Sequence, residues 1–194
     1  MASILSVCVY CGSRVGTEPT HRASATQLGR ALAEAGIQIV YGGGRIGLMG
    51  MVADAAIAAG GHVVGIIPEH LHDYEVGHHG VSDLRIVANM HERKNLMFEL
   101  SDAFVTLPGG IGSMDETFEI ITWKQLRLHD KPIIVVNELE YWTPFLQLVD
   151  HIIANDFAGT SIRDLFTVVD DVEAVLPALS TAPEPALADR PERL

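Results

Sequence analysis

The residues best suited to chemistry in this sequence fall in two places. Arg93 and Lys94 open an apolar-periodic segment, and Asp115 and Glu116 follow the glycine-rich run Pro108-Gly109-Gly110-Ile111-Gly112-Ser113. Glycines let the backbone approach a ligand and aim successive N–H groups at it. A loop of this kind that leads into a helix is a ready anion site. Cations in a first helical turn oppose the macrodipole, at a cost of a few tenths to about 1 kcal/mol. A bound phosphate or carboxylate would offset that cost, and Arg is suited to fork onto either; a surface ion pair is the plainer alternative. Glu116 also has two readings. Ser113-Met114-Asp115-Glu116 matches a capping box, whereas two adjacent acids beside a phosphate loop suit a cation or a positively charged intermediate.

A second glycine run, Gly42-Gly43-Gly44-Arg45-Ile46-Gly47, satisfies G-x-G-x-x-G. Alone this is weak evidence for a dinucleotide site, with Glu69 as the ribose-binding acid. The motif follows the second strand rather than the first, and little chain remains for a substrate domain. It reads equally as a tight turn or as a second anion loop at Gly42, Gly43, Gly44 and Gly47. Two such loops, expected on neighbouring strands, suggest a ligand bound across both.

Other candidates weigh less. Cys8 and Cys11 form a C-x-x-C pair, but Cys8 lies in an apolar run, so buried thiols in a reducing compartment are expected rather than redox chemistry. Residues 69–83 hold His70, His72, His78 and His79 with Gly77 and Gly80. Their spacing fits no zinc pattern, so a solvated, mobile loop and no metal are expected.

These residues need a scaffold. Short apolar runs at 4–10, 37–41, 62–67, 84–88, 103–107 and 132–136 read as strands, with 166–169 as an edge strand. Helical periodicity covers 20–35, 48–59, 90–100, 113–128, 142–154 and 172–179. Strands alternating with helices mean a parallel sheet covered on both faces, a Rossmann-like doubly wound α/β fold. Its ligands lie beyond the carboxyl ends of the strands, where the glycine loops fall. Residues 1–179 are expected to form one domain and 180–194, where Pro, Ala and charge alternate without period, a disordered tail.

Composition narrows the function. The 194 residues carry 25 acidic against 13 basic side chains, a formal charge of −12. Such a surface repels nucleic-acid phosphates, so a phosphate site must be local. With 48% hydrophobic residues the chain can build a core without disulfides. No apolar run reaches membrane-spanning length, and the start lacks a signal-peptide pattern, so a cytoplasmic protein is expected.

Several motifs together resemble one family. Cys11-Gly12-Ser13, Val40-Tyr41-Gly42-Gly43-Gly44 with Gly47-Leu48-Met49-Gly50, Met90-His91-Glu92-Arg93-Lys94, Pro108-Gly109-Gly110-x-Gly112-Ser113-x-x-Glu116, Ile121-Thr122-Trp123-Lys124-Gln125-Leu126 and Lys131-Pro132 stand in the order and spacing of the LONELY GUY (LOG) proteins. The resemblance covers nearly everything before the tail. It implies hydrolysis of cytokinin riboside 5′-monophosphates, and of AMP, to free base and ribose 5-phosphate, without a cofactor. It also implies a homodimer. By motif, Arg93 and Glu116 match the family's catalytic pair; Glu75, Lys94, Gly109, Gly110, Ile111, Gly112, Ser113, Asp115 and Thr122 match substrate contacts. Two positions depart from the pattern: Ser113 replaces a Thr, and Ile111 a frequent Tyr. Such proteins are often labelled lysine decarboxylase-like, yet nothing around Lys94, Lys124 or Lys131 reads as a pyridoxal site. An AMP nucleosidase with little taste for cytokinins, or a nucleotide-binding carrier without turnover, would share these residues.

Overall fold

The computed structural model describes residues 4–72 and 77–183; Glu75 and residues 184–194 of the expected tail lie outside them. In chain order the elements are β1 (Ser6–Tyr10), α1 (Pro19–Glu34), β2 (Gln38–Tyr41), α2 (Gly47–Ala58), β3 (Val63–Pro68), α3 (Glu69–His72), β4 (Asp83–Val87), α4 (Met90–Glu99), β5 (Ala103–Thr106), α5 (Ile111–Gln125), β6 (Ile133–Val136), α6 (Thr143–Ala154), β7 (Thr167–Val169) and α7 (Val175–Thr181). Two 3-10 turns, Glu138–Glu140 and Thr160–Leu165, were not legible as elements in the sequence.

Seven strands form one parallel sheet in the order β4-β3-β2-β1-β5-β6-β7. The order reverses between β1 and β5, the switch point at which α/β folds open a crevice. The central strands are apolar throughout because both faces are covered. In β1, Val7 and Val9 join the core packed under α1 and α2, while Cys8 and Tyr10 join the opposite core with Phe104 and Ile120. This alternation is the period-two geometry of a strand. The amino end of β1 is fixed by Asp102, whose Oδ2 accepts from the Leu5 and Ser6 amides at 2.9 and 3.0 Å.

Three expectations change. β2 and β5, which carry the two glycine loops, are not neighbours, because β1 lies between them. Sequence order could not reveal this, since the crossover after β4 returns the chain to the centre of the sheet. α5 begins at Ile111 with Gly110 as its N-cap and no side-chain cap bond. Ser113 and Glu116 therefore lie inside the helix, and the expected capping box does not cap it. A side-chain cap is found on α4 instead, where Asn89 Oδ1 accepts from the Glu92 amide at 2.9 Å and Glu92 Oε2 accepts from the Ala88 amide at 3.0 Å.

The histidine segment is also more ordered than expected where it is described. Glu69–His72 is helical, and Gly77 bridges to Gly44. His78 is buried; its amide donates to Gly43 O at 2.9 Å, and its Nε2 lies 2.8 Å from Asp54 Oδ1. Among the described residues no group of three or more His, Cys, Asp or Glu is placed to hold a metal ion.

Candidate active site

Three loops meet at the carboxyl edge of the sheet, after β1, β2 and β5. Gly12 joins them. Its amide donates to Pro108 O at 3.0 Å, and its carbonyl accepts from the Leu48 amide at 2.9 Å. The β1 loop is thus the mortar between two glycine loops that are not adjacent. Gly47 makes the fit possible. Its φ of +76° is left-handed, and a Cβ there would overlap the Ser13–Arg14 backbone.

A cavity of about 310 Å³ opens beside this junction. Gly110 to Ser113 form one wall at the start of α5. The first amides of a helix have no intrahelical acceptor, and here no side chain caps them, so they form a cradle for an anion. Ser113 is buried, and its carbonyl accepts from the Thr117 hydroxyl at 2.6 Å, which fixes the first turns of α5. Glu116 lies one turn further on and lines the same cavity, with Asp115 at the rim.

Arg93 comes from the opposite side, on α4. It is only 5% exposed and lines the cavity. Nη2 donates to Gly42 O at 3.1 Å, while the buried Nε has no hydrogen-bond partner. Gly42 is required for this placement, since a Cβ there would overlap Nη2. A buried guanidinium that is incompletely satisfied is costly, and an anionic ligand in the cavity would answer it. The Arg93–Glu116 pairing inferred from the motifs therefore meets in one cavity although 23 residues separate the two positions in sequence.

The remaining candidates sort by position. Lys94 turns away along α4 and pairs with Asp115 at 3.1 Å and Glu119 at 3.0 Å. Burial opposes its charge, but the hydrogen bonds it donates to Glu119 and Asp115 outweigh this and hold its pKa above the ordinary value. Ile111 is 86% exposed at the crest of the loop. Gly109 stands behind that crest, where it accepts from the Tyr141 hydroxyl at 2.6 Å. Thr122 is exposed two turns beyond Asp115 on α5 and is not among the described lining residues. Gly42, Gly43, Gly44 and Gly47 do not line the cavity either; Gly42 seats Arg93, and Gly43 and Gly44 hold the Gly77–His78 segment. Lining residues that sequence reasoning had not assigned to the site are Met49, Leu71 and Met90, an apolar wall, with Cys11 and Ser13 on the β1 side. Met49, Met90, Cys11 and Ser13 stood in the quoted motifs; Leu71 carried no signal.

The thiols are structural. Burial first, and the Glu116 charge second, push the pKa of both Cys8 and Cys11 far above the ordinary thiol value. A thiol held neutral is a poor nucleophile. The other lysines are engaged as well: Lys124 Nζ donates to Lys131 O at 3.0 Å, and Lys131 Nζ donates to Phe98 O at 2.7 Å. This leaves no lysine presented to the cavity for a pyridoxal Schiff base.

Known proteins bear on this arrangement. The family model described as "Possible lysine decarboxylase" matches residues 49–179. A cytokinin riboside 5′-monophosphate phosphoribohydrolase from Rhodococcoides fascians is 43% identical over 175 residues, covering 90% of this chain and 88% of that protein. The cytokinin riboside 5′-monophosphate phosphoribohydrolase LOG from Oryza sativa subsp. japonica is 44% identical over 157 residues, 81% of this chain and 65% of the rice protein. The molybdenum cofactor binding protein from Rippkaea orientalis superimposes with a TM-score of 0.69 at 20% identity, over 91% of this chain and 95% of that one, and shares the fold. With a family model matched over residues 49–179 and relatives above 40% identity over most of its length, the chain belongs to the LOG family.

Proposed function

We propose that this protein hydrolyses the N-glycosidic bond of cytokinin riboside 5′-monophosphates, and of AMP, to free base and ribose 5-phosphate. The observation that carries the reading is the single cavity in which Arg93, Glu116 and the uncapped amides of Gly110 to Ser113 converge. The names of the relatives support the same reaction. The 5′-phosphate rests on the start of α5, and its negative charge answers the Arg93 side of the cavity. Departure of the base leaves positive charge on the ribose, as in glycoside hydrolysis. Glu116, fixed on α5, stabilises that charge or activates the attacking water. Arg93 orients the nucleotide and assists the leaving base. Met49, Leu71 and Met90 offer apolar surface to the base and its substituent. Lys94 acts on the ligand through Asp115, which it holds at the rim. No step calls for a metal or an organic cofactor.

The activity is tested by product analysis with a panel of nucleoside monophosphates. Free base together with ribose 5-phosphate is expected. Binding without release of base would return the chain to the class of nucleotide carriers. Comparison of kcat/KM for AMP and isopentenyladenosine monophosphate separates a cytokinin enzyme from an AMP nucleosidase. A cytoplasmic homodimer is part of the reading. Among the described residues no helix is long and apolar enough to cross a membrane, and light scattering at working concentration tests the assembly.

A further inference from the structure

A second cavity, of about 510 Å³, lies on the other side of the Gly109–Ile111 crest. It is bounded by the loops that follow β1 and β5, so it too opens at the point where the strand order reverses. Its volume falls within the range of about 300–1,000 Å³ usual for small-molecule sites. His21, in the first turn of α1, forms part of its wall and is only 6% exposed. His21 Nδ1 lies 3.2 Å from Glu138 Oε2, and the Ser24 hydroxyl donates to Glu138 Oε1. Glu138 is itself buried. A carboxylate only accepts, so Nδ1 carries a proton, and in the neutral imidazole Nε2 is then an acceptor. Among the described residues only Nδ1 of His21 has a hydrogen-bond partner. Arg14, exposed on the β1 loop, lines the same cavity.

We propose that this cavity is a second ligand site that takes a phosphorylated sugar, free or as part of a nucleotide. Arg14 meets the phosphate, and His21 Nε2 accepts from a sugar hydroxyl. The buried Ser24–Glu138–His21 chain holds the imidazole in the orientation and tautomer that this needs. The site is coupled to the first cavity. Tyr141 stacks edge-on against His21 at 5.4 Å, and its hydroxyl donates to Gly109 O at 2.6 Å. Ser13, Gly110 and Ile111 line both cavities.

The test is a direct titration of the full chain with ribose 5-phosphate, by calorimetry or equilibrium dialysis. That probe is chosen on the proposed reaction; the cavity is not. Two sites per chain are expected. Arg14 is exposed, so Arg14→Ala spares the fold and weakens one site at least about tenfold, the scale of one charge-assisted hydrogen bond. Ser113→Ala weakens the other. His21→Gln weakens ribose 5-phosphate at the Arg14-dependent site but leaves inorganic phosphate, which meets Arg14 alone, unchanged there. AMP added to the Glu116→Gln protein shows whether the site also accepts a nucleotide. With AMP as substrate, the initial-rate KM of Arg14→Ala stays close to that of the parent. Identical stoichiometry and affinity in the parent and Arg14→Ala would overturn the proposal, and so would a raised KM in Arg14→Ala, which would assign Arg14 to the substrate site. A chain that hydrolyses no nucleotide yet retains the Arg14-dependent site would refute the proposed function and leave this inference standing.

Discussion

Glu116 carries the sharpest expectation at the scale of single residues. Because Gly110 is the N-cap of α5, Glu116 is not needed to start the helix. Glu116→Gln keeps the shape and removes the charge. Its folding stability is expected to stay within about 1 kcal/mol of the parent by chemical denaturation, the range of ordinary surface and cap changes. Its kcat should fall at least about 100-fold, as when one electrostatic contact to a charged transition state is lost. Near-normal kcat would move the search for the catalytic acid to Asp115, at the rim, and to Glu75. Arg93→Lys tests the partner residue. Lysine keeps the charge but cannot keep both the Nη2 bond to Gly42 O and a second donor aimed at a ligand. A large loss in kcat/KM with bound nucleotide still detectable is the expected result.

Elements decide how these side chains are aimed. If the uncapped start of α5 holds the phosphate, as proposed, removing the phosphate should cost alignment as well as affinity. Adenosine is expected to be a far poorer substrate than AMP; comparable kcat/KM for the two would remove the phosphate from the mechanism. Gly42 lies on β2's loop, away from the cavity, yet Gly42→Ala should damage catalysis because the new methyl meets the Arg93 guanidinium. Gly47→Ala should act differently. A non-glycine residue at a left-handed φ costs roughly 1–2 kcal/mol, and here the methyl also meets Ser13–Arg14. The expected effect is a lower melting temperature measured by calorimetry, with the substrate dependence of turnover little altered in the fraction that folds. The contrast between these two glycines separates seating of a catalytic side chain from packing of loops.

Across the whole molecule, the two cavities share the crest at Gly110 and Ile111, which rests on Gly12 behind it. The segment after β3 borders the Arg93–Glu116 cavity through Leu71 and is anchored at its far end by His78 on Asp54 and Gly43. Closure over the base is therefore expected near Leu71 rather than along all of residues 69–83. Hydrogen exchange with and without a bound nucleotide checks this. Added protection at Leu71 with little change at His78 is the expected pattern, and equal, high protection at Leu71 in both states would count against a lid. Asp54→Ala releases the anchor without touching the cavity and should raise exchange at His78.

The sequence alone determined the fold class and the chain order of the strands and of every helix but α3, and it put Arg93 and Glu116 forward as the candidate pair. Strands buried on both faces are continuous apolar runs, helices show their period, and glycine loops between them mark the carboxyl edge of a parallel sheet. Arg93, Glu116 and the glycine loop between them stood out as candidates because their types are unusual for their places: cations at a helix start and acids beside an anion loop. Three things were decided only in three dimensions. The strand order inserted β1 between the two glycine loops, which makes Gly12 the connection and leaves Gly42 a seat for Arg93 rather than a visible phosphate ligand. The choice of N-cap fell to Gly110, because the chain turns into α5 earlier than a side-chain capping motif indicates. The union of His21, Ser24 and Glu138 had no sequence signal, since more than 100 residues separate Ser24 from Glu138. Local patterns report which face of an element is buried; which distant element covers that face is settled by the crossover topology and by packing.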